Sequence, residues 1–375
     1  MLESIQASVL SIPFNAAFKH ASAERAFTQT LWIEARARDG VLGHGEGCPR
    51  EYVTTESLAS TQAFVASHTD DWLAAIRDVG TLAAWAHRHR TDIDANPAAW
   101  TAVELAMLDL LGKEHACSVE AQLGVPEVAG RFRYTAVLGD ASPRQFEAQL
   151  AHYIQAGFRD FKIKLSGNHE RDLAKTRALT AAGITTNAAR ADANNLWSST
   201  GMAVQCLKAL DFEFFALEEP LRAGDYAGMQ GIAAAMNAKI ILDESLLRVD
   251  QVERFAEPPE RWIVNLRVSK MGGLLRSLEL VREMRRIGLR LIVGAHVGET
   301  SLLTRAALTV ATSARDLLLA QEGAFGTHLL AYDVVEPPLM FGPGGVLDAD
   351  ELNIAARSGF GLGTLASLHR AETTS

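Results

Sequence analysis

At 375 residues the chain is too long for one small core; it suits two ordinary domains or one barrel with an accessory domain. Hydrophobic residues make up 48% and charged residues 22%, the balance of a soluble globular protein. A formal net charge of -9 argues against nucleic acid or an anionic membrane as the main partner, since both require a basic face. An anionic substrate stays open, because a bound metal can reverse the sign of a pocket.

The opening Met1-Leu2-Glu3-Ser4 lacks a basic region followed by an apolar run, so no signal peptide is expected. No stretch reaches the roughly 20 apolar residues that a membrane helix needs. Cys48, Cys117 and Cys206 are widely spaced without a CxxC pair, which suits buried small hydrophobes in a reducing cytoplasm. The beginning of the chain reads as strands and turns: Gln29 to Ala37 alternates as a strand does, and Asp39-Gly40 is a turn signal. From Thr55 to Leu123 the pattern is helical and alanine-rich, and Ala98 to Gly112 places apolar residues on one broad helical face.

Beyond Pro126 and Gly130 the texture changes. Short apolar runs alternate with helical segments: 134–139, 158–165, 185–194, 212–220, 239–245, 262–270, 289–297 and 317–326. Strands alternating with helices argue for parallel pairing with helical crossovers, and a closed eight-stranded barrel is the simplest solution. An open doubly wound sheet lacks support, because the first strand carries no GxGxxG loop. The short tail opens with Gly342-Pro343-Gly344-Gly345 and is expected to return to the N-terminal part.

A charged residue ending an apolar strand is costly unless it has a task. Seven successive runs carry such a polar residue: Lys164, Asp192, Glu218, Asp243, Lys270, His296 and Glu322, spaced 25 to 28 residues apart. That interval is one strand–helix unit, so the seven side chains should converge on the top of one barrel, where active sites of this architecture sit. Asp192, Glu218 and Asp243 are hard oxygen ligands without cysteine, suiting Mg2+, with Mn2+ as a substitute. The bland alternative for any one of them is a structural ion pair with a lysine. Lys162 and Lys164, two apart on a strand, point to the same side. Their repulsion, helped by a nearby metal, would favour the neutral amine that can act as a base at Lys164. Lys270 should approach from across the barrel on the sixth strand.

At these residues the sequence resembles the enolase superfamily, and within it the muconate-lactonizing-enzyme subgroup of the mandelate racemase/muconate lactonizing enzyme family. Lys162-Ile163-Lys164 is similar to the family's KxK, Asp192-Ala193-Asn194 to its DxN, Glu218-Glu219-Pro220 to its E-[EQ]-P and Asp243-Glu244-Ser245 to its DES. Ser269-Lys270-Met271-Gly272-Gly273 resembles the strand-six lysine with paired glycines, and Glu104 to Lys113 resembles the helix that closes the capping domain. The resemblance implies a modified TIM barrel, (β/α)7β, over 126–344 beneath an α+β capping domain of 1–125 joined by the tail 345–375. It also implies Asp192, Glu218 and Asp243 as metal ligands, and Asn194, Glu244 and Glu299 as groups behind them. Two N-terminal stretches, Phe18 to Ser22 and Cys48 to Tyr52, match the loops that choose substrate, which makes His20, Arg50 and Tyr52 candidate substrate contacts. His296 lacks the aspartate of a His–Asp pair, so a substrate contact or a structural histidine is expected. Glu322 falls where some members carry a strand-eight acid. The DxD of some dipeptide epimerases is absent from His328 to Val334, which lowers a dipeptide substrate.

The function expected is Mg2+-dependent abstraction of the proton beside a substrate carboxylate, giving a stabilised enolate. Racemisation or epimerisation of an N-acyl amino acid, a dipeptide or a related acid leads, and cycloisomerisation or water elimination would use the same residues. A Schiff-base aldolase explains Lys270 but leaves three carboxylates idle. A non-catalytic barrel would need a decayed ligand set, and this one is intact. A cytoplasmic homo-oligomer, dimer or octamer, completes the expectation.

Overall fold

Alternating side chains let a strand bury one face, and the chain begins with five such strands. Residues 2–20, 23–354 and 357–364 are described by the computed structural model, with side chains outside 16–25. β1 (Leu2–Leu10), β4 (Thr30–Ala37) and β5 (Leu42–Gly47) form an antiparallel sheet in the order β1-β4-β5. β2 (Pro13–His20) and β3 (Ala23–Phe27) pair separately as an antiparallel ribbon. β4 is the strand expected from Gln29, and the Asp39-Gly40 turn follows it with Gly40 at φ 88°.

Helices come next: α1 (Glu51–Thr54), α2 (Leu58–Ala75), α3 (Val79–Arg88), α4 (Arg90–Ala95), α5 (Pro97–Glu114) and α6 (Val119–Leu123). Pro97 sits in the first turn of α5, where its missing N–H costs nothing, and Glu56 accepts hydrogen bonds from the Ala98 and Ala99 amides at 3.0 Å each. α5 departs from the one-faced expectation: every residue from Pro97 to Gly112 is buried. The reason lies in β5, whose Gly43, Gly45 and Gly47 lay bare backbone on the helix. A Cβ added at Gly45 would stand 1.9 Å from the Ala102 carbonyl oxygen, and one at Gly47 1.9 Å from that of Ala98. Strand and alanine-rich helix therefore touch backbone to backbone, closing the helix face that would otherwise meet water.

After β6 (Arg131–Arg133) each of the eight apolar runs contributes one strand. These are β7 (Ala136–Leu138), β8 (Phe161–Lys164), β9 (Ala189–Asp192), β10 (Ala216–Glu218), β11 (Lys239–Leu242), β12 (Trp262–Leu266), β13 (Arg290–Val293) and β14 (Leu318–Gln321). They pair in parallel in sequence order. The Thr135 amide beside β7 donates to the Gln321 carbonyl of β14 at 2.8 Å, bringing first and last strands together into the (β/α)7β barrel. Crossovers are α7 (Pro143–Gln155), α8 (His169–Ala181), α9 (Thr200–Lys208), α10 (Tyr226–Met236), α11 (Val268–Met271) with α12 (Leu274–Ile287), and α13 (Ser301–Ser313). Between β11 and β12 the link is a 3-10 segment, Val249–Phe255, where a helix was expected.

The two-residue period sorts the barrel interior into layers. Ala216, Ile241, Ile263, Ile292 and Ala320 pack as a separate apolar cluster. On four of those strands the residue two further on is Glu218, Asp243, Asn265 or Glu322, so an apolar floor supports a polar layer. The tail forms β15 (Val346–Asp348), antiparallel to β6, and the Phe360 amide donates to Asp109 of α5 at 3.0 Å. No helix among the described residues is long and apolar enough to cross a membrane. The cysteine expectation holds for one thiol only: Cys48 is buried, Cys117 half-buried and Cys206 exposed.

Candidate active site

The polar layer begins at the last residues of β8, β9 and β10. Lys164, Asp192 and Glu218 close their strands, whereas Asp243, His296 and Glu322 stand just beyond theirs. Lys270 differs from expectation. β12 ends at Leu266, and Lys270 projects from the single turn α11 that follows. Asn194 and Glu219 adopt left-handed backbone (φ 45° and 38°), a strain concentrated where β9 and β10 turn outward.

Lys162, Lys164, Lys270 and Arg267 thread the acidic cluster, and Arg190 Nη2 comes within 3.6 Å of Glu322 Oε1. Lys162 Nζ donates to Glu218 Oε2 at 2.8 Å and Glu322 Oε2 at 2.7 Å, and lies 3.6 Å from Asp192 Oδ2. Burial works against its ammonium, but the attraction of Glu218, Glu322 and Asp192 outweighs it and holds the pKa above the ordinary lysine value. Lys164 Nζ donates to Asp192 Oδ2 and, at 3.0 Å, to Asn194 Oδ1. The two lysines therefore share a carboxylate that lies between them, and their repulsion is offset by it. Lys270 Nζ donates to Asp243 Oδ1 at 3.0 Å and to the Asp243 and Asn265 carbonyls at 2.7 and 2.8 Å. Arg267 Nη2 meets Asp243 Oδ2 at 2.6 Å and Glu218 Oε1 at 3.7 Å. The pKa of Asp243 falls because Arg267 and Lys270 overcome the cost of its burial.

Around the barrel the order is Lys164, Asp192, Glu218, Asp243, Lys270, so an amine flanks each end of a carboxylate trio on adjacent strands. The donor set suits a hard divalent cation in kind: three carboxylates on adjacent strands, linked through Lys162 and Arg267, no sulfur among them, and a further buried carboxylate oxygen, Glu244 Oε2, without a hydrogen-bond partner. Burial and the charges of Asp243, Glu219 and Asp192 push Glu244 well above the usual carboxylate range.

One cavity opens over this floor. Lys162, Lys164, Asn194, Asp243, Glu244, Arg267, His296 and Glu322 supply its polar lining, and Tyr52, Val137, Ala295, Val297, Phe325 and Leu329 its apolar wall. Lys270 does not line it; it lies fully buried behind Asp243. His296 is buried with neither ring nitrogen hydrogen-bonded, and its pKa is driven well below 6.5 by burial and by Arg267 and Arg50. Glu299 accepts from the His296 amide at 2.7 Å, and burial lifts its pKa to about 7.

Two N-terminal expectations fare differently. Tyr52 reaches the cavity, but Arg50 does not line it. The Arg50 guanidinium is buried and donates to the carbonyls of Pro49 (2.6 Å), Gln29 (3.3 Å) and Val297 (2.6 Å). Backbone acceptors capture it before it can face a ligand. His20 ends β2, and its side chain lies outside the described residues.

Sequence reasoning overlooked Arg267 and Asn265, which share the inner face of β12 and its extension and hold Glu218 from the side opposite Lys162. An Asn and an Arg two apart within an apolar run were the available signal. Glu219 was also overlooked: it accepts from the Asp243 and Ser245 amides at 2.7 and 2.8 Å and so fixes the turn that presents Asp243.

A family model described as Enolase C-terminal domain-like matches residues 145–364. The L-Lys-D/L-Arg epimerase of Methylococcus capsulatus is 29% identical over 94% of this chain and 95% of its own length. A crystal structure of the dipeptide epimerase from the same organism, complexed with Mg and the dipeptide L-Arg-D-Lys, superposes with a TM-score of 0.79 at 27% identity, covering 96% of this chain and 99% of that one. The dipeptide epimerase of Enterococcus faecalis, complexed with Mg and L-Leu-L-Tyr, gives 0.83 at 22% identity over 96% of this chain and 99% of that one. The chain belongs to the Enolase C-terminal domain-like family, in the mandelate racemase/muconate lactonizing branch of the enolase superfamily.

Proposed function

We propose that this isomerase uses Mg2+ to racemise or epimerise the alpha-carbon of an N-acylated amino acid or dipeptide with an apolar side chain. The observation that carries the reading is the flanking of the Asp192–Glu218–Asp243 trio by Lys164 on one side and Lys270 on the other. Asp192, Glu218 and Asp243 would hold the ion. When bound, it supplies a Lewis acid at the substrate carboxylate and takes over the countercharge of the trio.

The charge balance of this chain supports the chemistry. Asp192, Glu218, Asp243 and Glu322 face Lys162, Lys164, Arg267 and Lys270, with Arg190 also 3.6 Å from Glu322, so each acid of the cluster has a cation beside it. A lysine would have to stand as the neutral amine to take the alpha-proton, and Lys164 is the one of the two flanking lysines that lines the cavity. Lys164 would exchange a proton with one face of the alpha-carbon, and Lys270 would serve the opposite face once its amine leaves Asp243, behind which it is held in this structure. Lys162 keeps its ammonium, anchored by Glu218 and Glu322, and offsets the charge that grows on the carboxylate as the enolate forms. Tyr52, Val137, Val297, Phe325 and Leu329 exclude water from the side chain of the substrate. Asp333, the acid of the strand-eight stretch, is held by the Ser301 amide and hydroxyl at 3.1 and 2.9 Å, away from the cavity, so it offers no partner to a cationic side chain.

The test is proton exchange in deuterated water. Lys164→Ala abolishes racemisation yet leaves exchange of the enantiomer that Lys270 serves, and Lys270→Ala does the converse. Equal loss of exchange for both enantiomers in both variants would replace the two-base scheme with a single base.

A further inference from the structure

Beside the hard carboxylate trio lies a second group of convergent donors of different character. We propose that Cys48, His296 and Glu299 form a binding site for a thiophilic divalent cation of the zinc type, distinct from the Mg2+ site. A thiol sulfur, an imidazole nitrogen and a carboxylate oxygen of these residues lie within 4.8 Å of one another. His296 Nδ1 and Glu299 Oε1 are 3.5 Å apart. That is longer than a usual hydrogen bond and close to the ~3.3 Å edge of a tetrahedron built on metal–nitrogen and metal–oxygen bonds of about 2.0 Å.

The three donors are held in place by their backbones. The Cys48 amide donates to Ser269 Oγ at 2.7 Å, and the His296 amide donates to Glu299 Oε1 at 2.7 Å. His296 is only 3% exposed, and neither of its ring nitrogens has a hydrogen-bond partner. A buried orphan of this kind calls for a ligand.

Donor softness separates the two sites. The trio offers only carboxylate oxygen and suits Mg2+, whereas sulfur and imidazole favour Zn2+ and Co2+. Binding displaces the thiol proton of Cys48 and whatever proton Glu299 carries, and the resulting thiolate and carboxylate balance the two charges of the ion. Three protein donors leave a fourth tetrahedral position open. Entry is by way of the cavity, which His296 and Val297 line. Occupancy ties His296 to the metal and so hinders substrate; that consequence rests on the reaction proposed above, whereas the binding does not.

The experiment is a Co2+ titration of the full-length protein, chelator-stripped and then saturated with Mg2+, read by absorbance without turnover. The wild type is expected to bind one equivalent with a near-ultraviolet thiolate-to-cobalt charge-transfer band. Cys48→Ala loses the band, and His296→Ala weakens Co2+ binding at least tenfold. Asp192→Asn keeps the band, so failure of the Mg2+ assignment is distinguishable from failure of this one. The Cys48 hydrogen bond to Ser269 runs through the backbone, so Cys48→Ala retains it, and an unchanged melting curve verifies the fold. No band in the wild type, a band that survives Cys48→Ala, or one lost in Asp192→Asn overturns the proposal.

Discussion

The contact of β5 with α5 and the mouth of the barrel are both buried, yet they are built on opposite principles. At the first, Gly43, Gly45 and Gly47 face Ala98, Ala102 and Ala106 so closely that no side chain fits between. At the second, carboxylates and cations are packed where apolar residues would be cheaper, since desolvating paired charges often costs as much as their attraction returns. The comparison teaches that burial alone says little about purpose. Where atoms are small and apolar, sequence is constrained by volume and the readout is stability. Where they are charged, the constraint is chemistry and the readout is turnover.

The largest expected effect breaks the mouth while sparing the frame. Lys164→Met should lower turnover by about 10²- to 10⁴-fold, the usual worth of a general acid–base. The melting temperature should barely move, because Lys164 is partly exposed and Asp192 keeps Lys162 nearby. A variant that unfolds instead would place Lys164 in the frame. The complementary break is Gly45→Ala. Its methyl group would stand 1.9 Å from the Ala102 carbonyl oxygen, inside a backbone contact that cannot yield locally. A loss of about 3 kcal/mol in denaturant unfolding is expected, the upper end for overpacking, with KM unchanged in whatever fraction folds.

Much of both regions was legible in the sequence, for different reasons. The eight strands were found because apolar runs bounded by helical segments recur at the length of one strand–helix unit, and that same recurrence collected Lys164, Asp192, Glu218, Asp243, His296 and Glu322 at one end. Spacing fixes the layer in which a side chain lies, but not its partner. Lys270 shows the limit: its interval was right, but a turn of helix rather than a strand carries it, and it hydrogen-bonds behind Asp243 instead of facing the cavity. α5 shows the other limit. Its burial on all sides depends on glycines more than fifty residues earlier in the chain, a pairing that no local period encodes.

Arg50 sharpens the comparison, because a charged residue behaves here as part of the frame. Its three carbonyl acceptors join β5's exit to the loop at Val297, and it does not line the cavity over the carboxylates. Arg50→Ala should cost about 2 kcal/mol in unfolding, the scale of hydrogen bonds from a charged donor. Relative rates over a panel of acids should stay the same. A changed ranking of substrates with unchanged stability would restore the arginine to the role expected from its loop.

Glu46 provides the smallest and most graded test, since it is an acid placed in the frame. It lies on β5 between the glycines, fully buried, and accepts from Thr300 Oγ1 at 2.6 Å and from the Thr300 amide at the start of α13. Burial lifts its pKa from 4.5 to about 8, with Glu299 and Asp333 adding to the rise and the Thr300 hydrogen bonds opposing it. Between about pH 4.5 and 8 the folded chain therefore retains a proton at Glu46 that the unfolded chain has released. Folding stability must fall as pH rises through that window, by at most about 1.4 kcal/mol per pH unit from this group. Glu299, with its pKa near 7, adds to the same slope over a narrower range. Glu46→Gln cannot ionise, so unfolding free energies measured from pH 5 to 8 should decline less steeply than in the wild type. If the two slopes coincide, Glu46 is ionised in the folded protein, and the N-terminus of α13, not protonation, is what makes its burial tolerable.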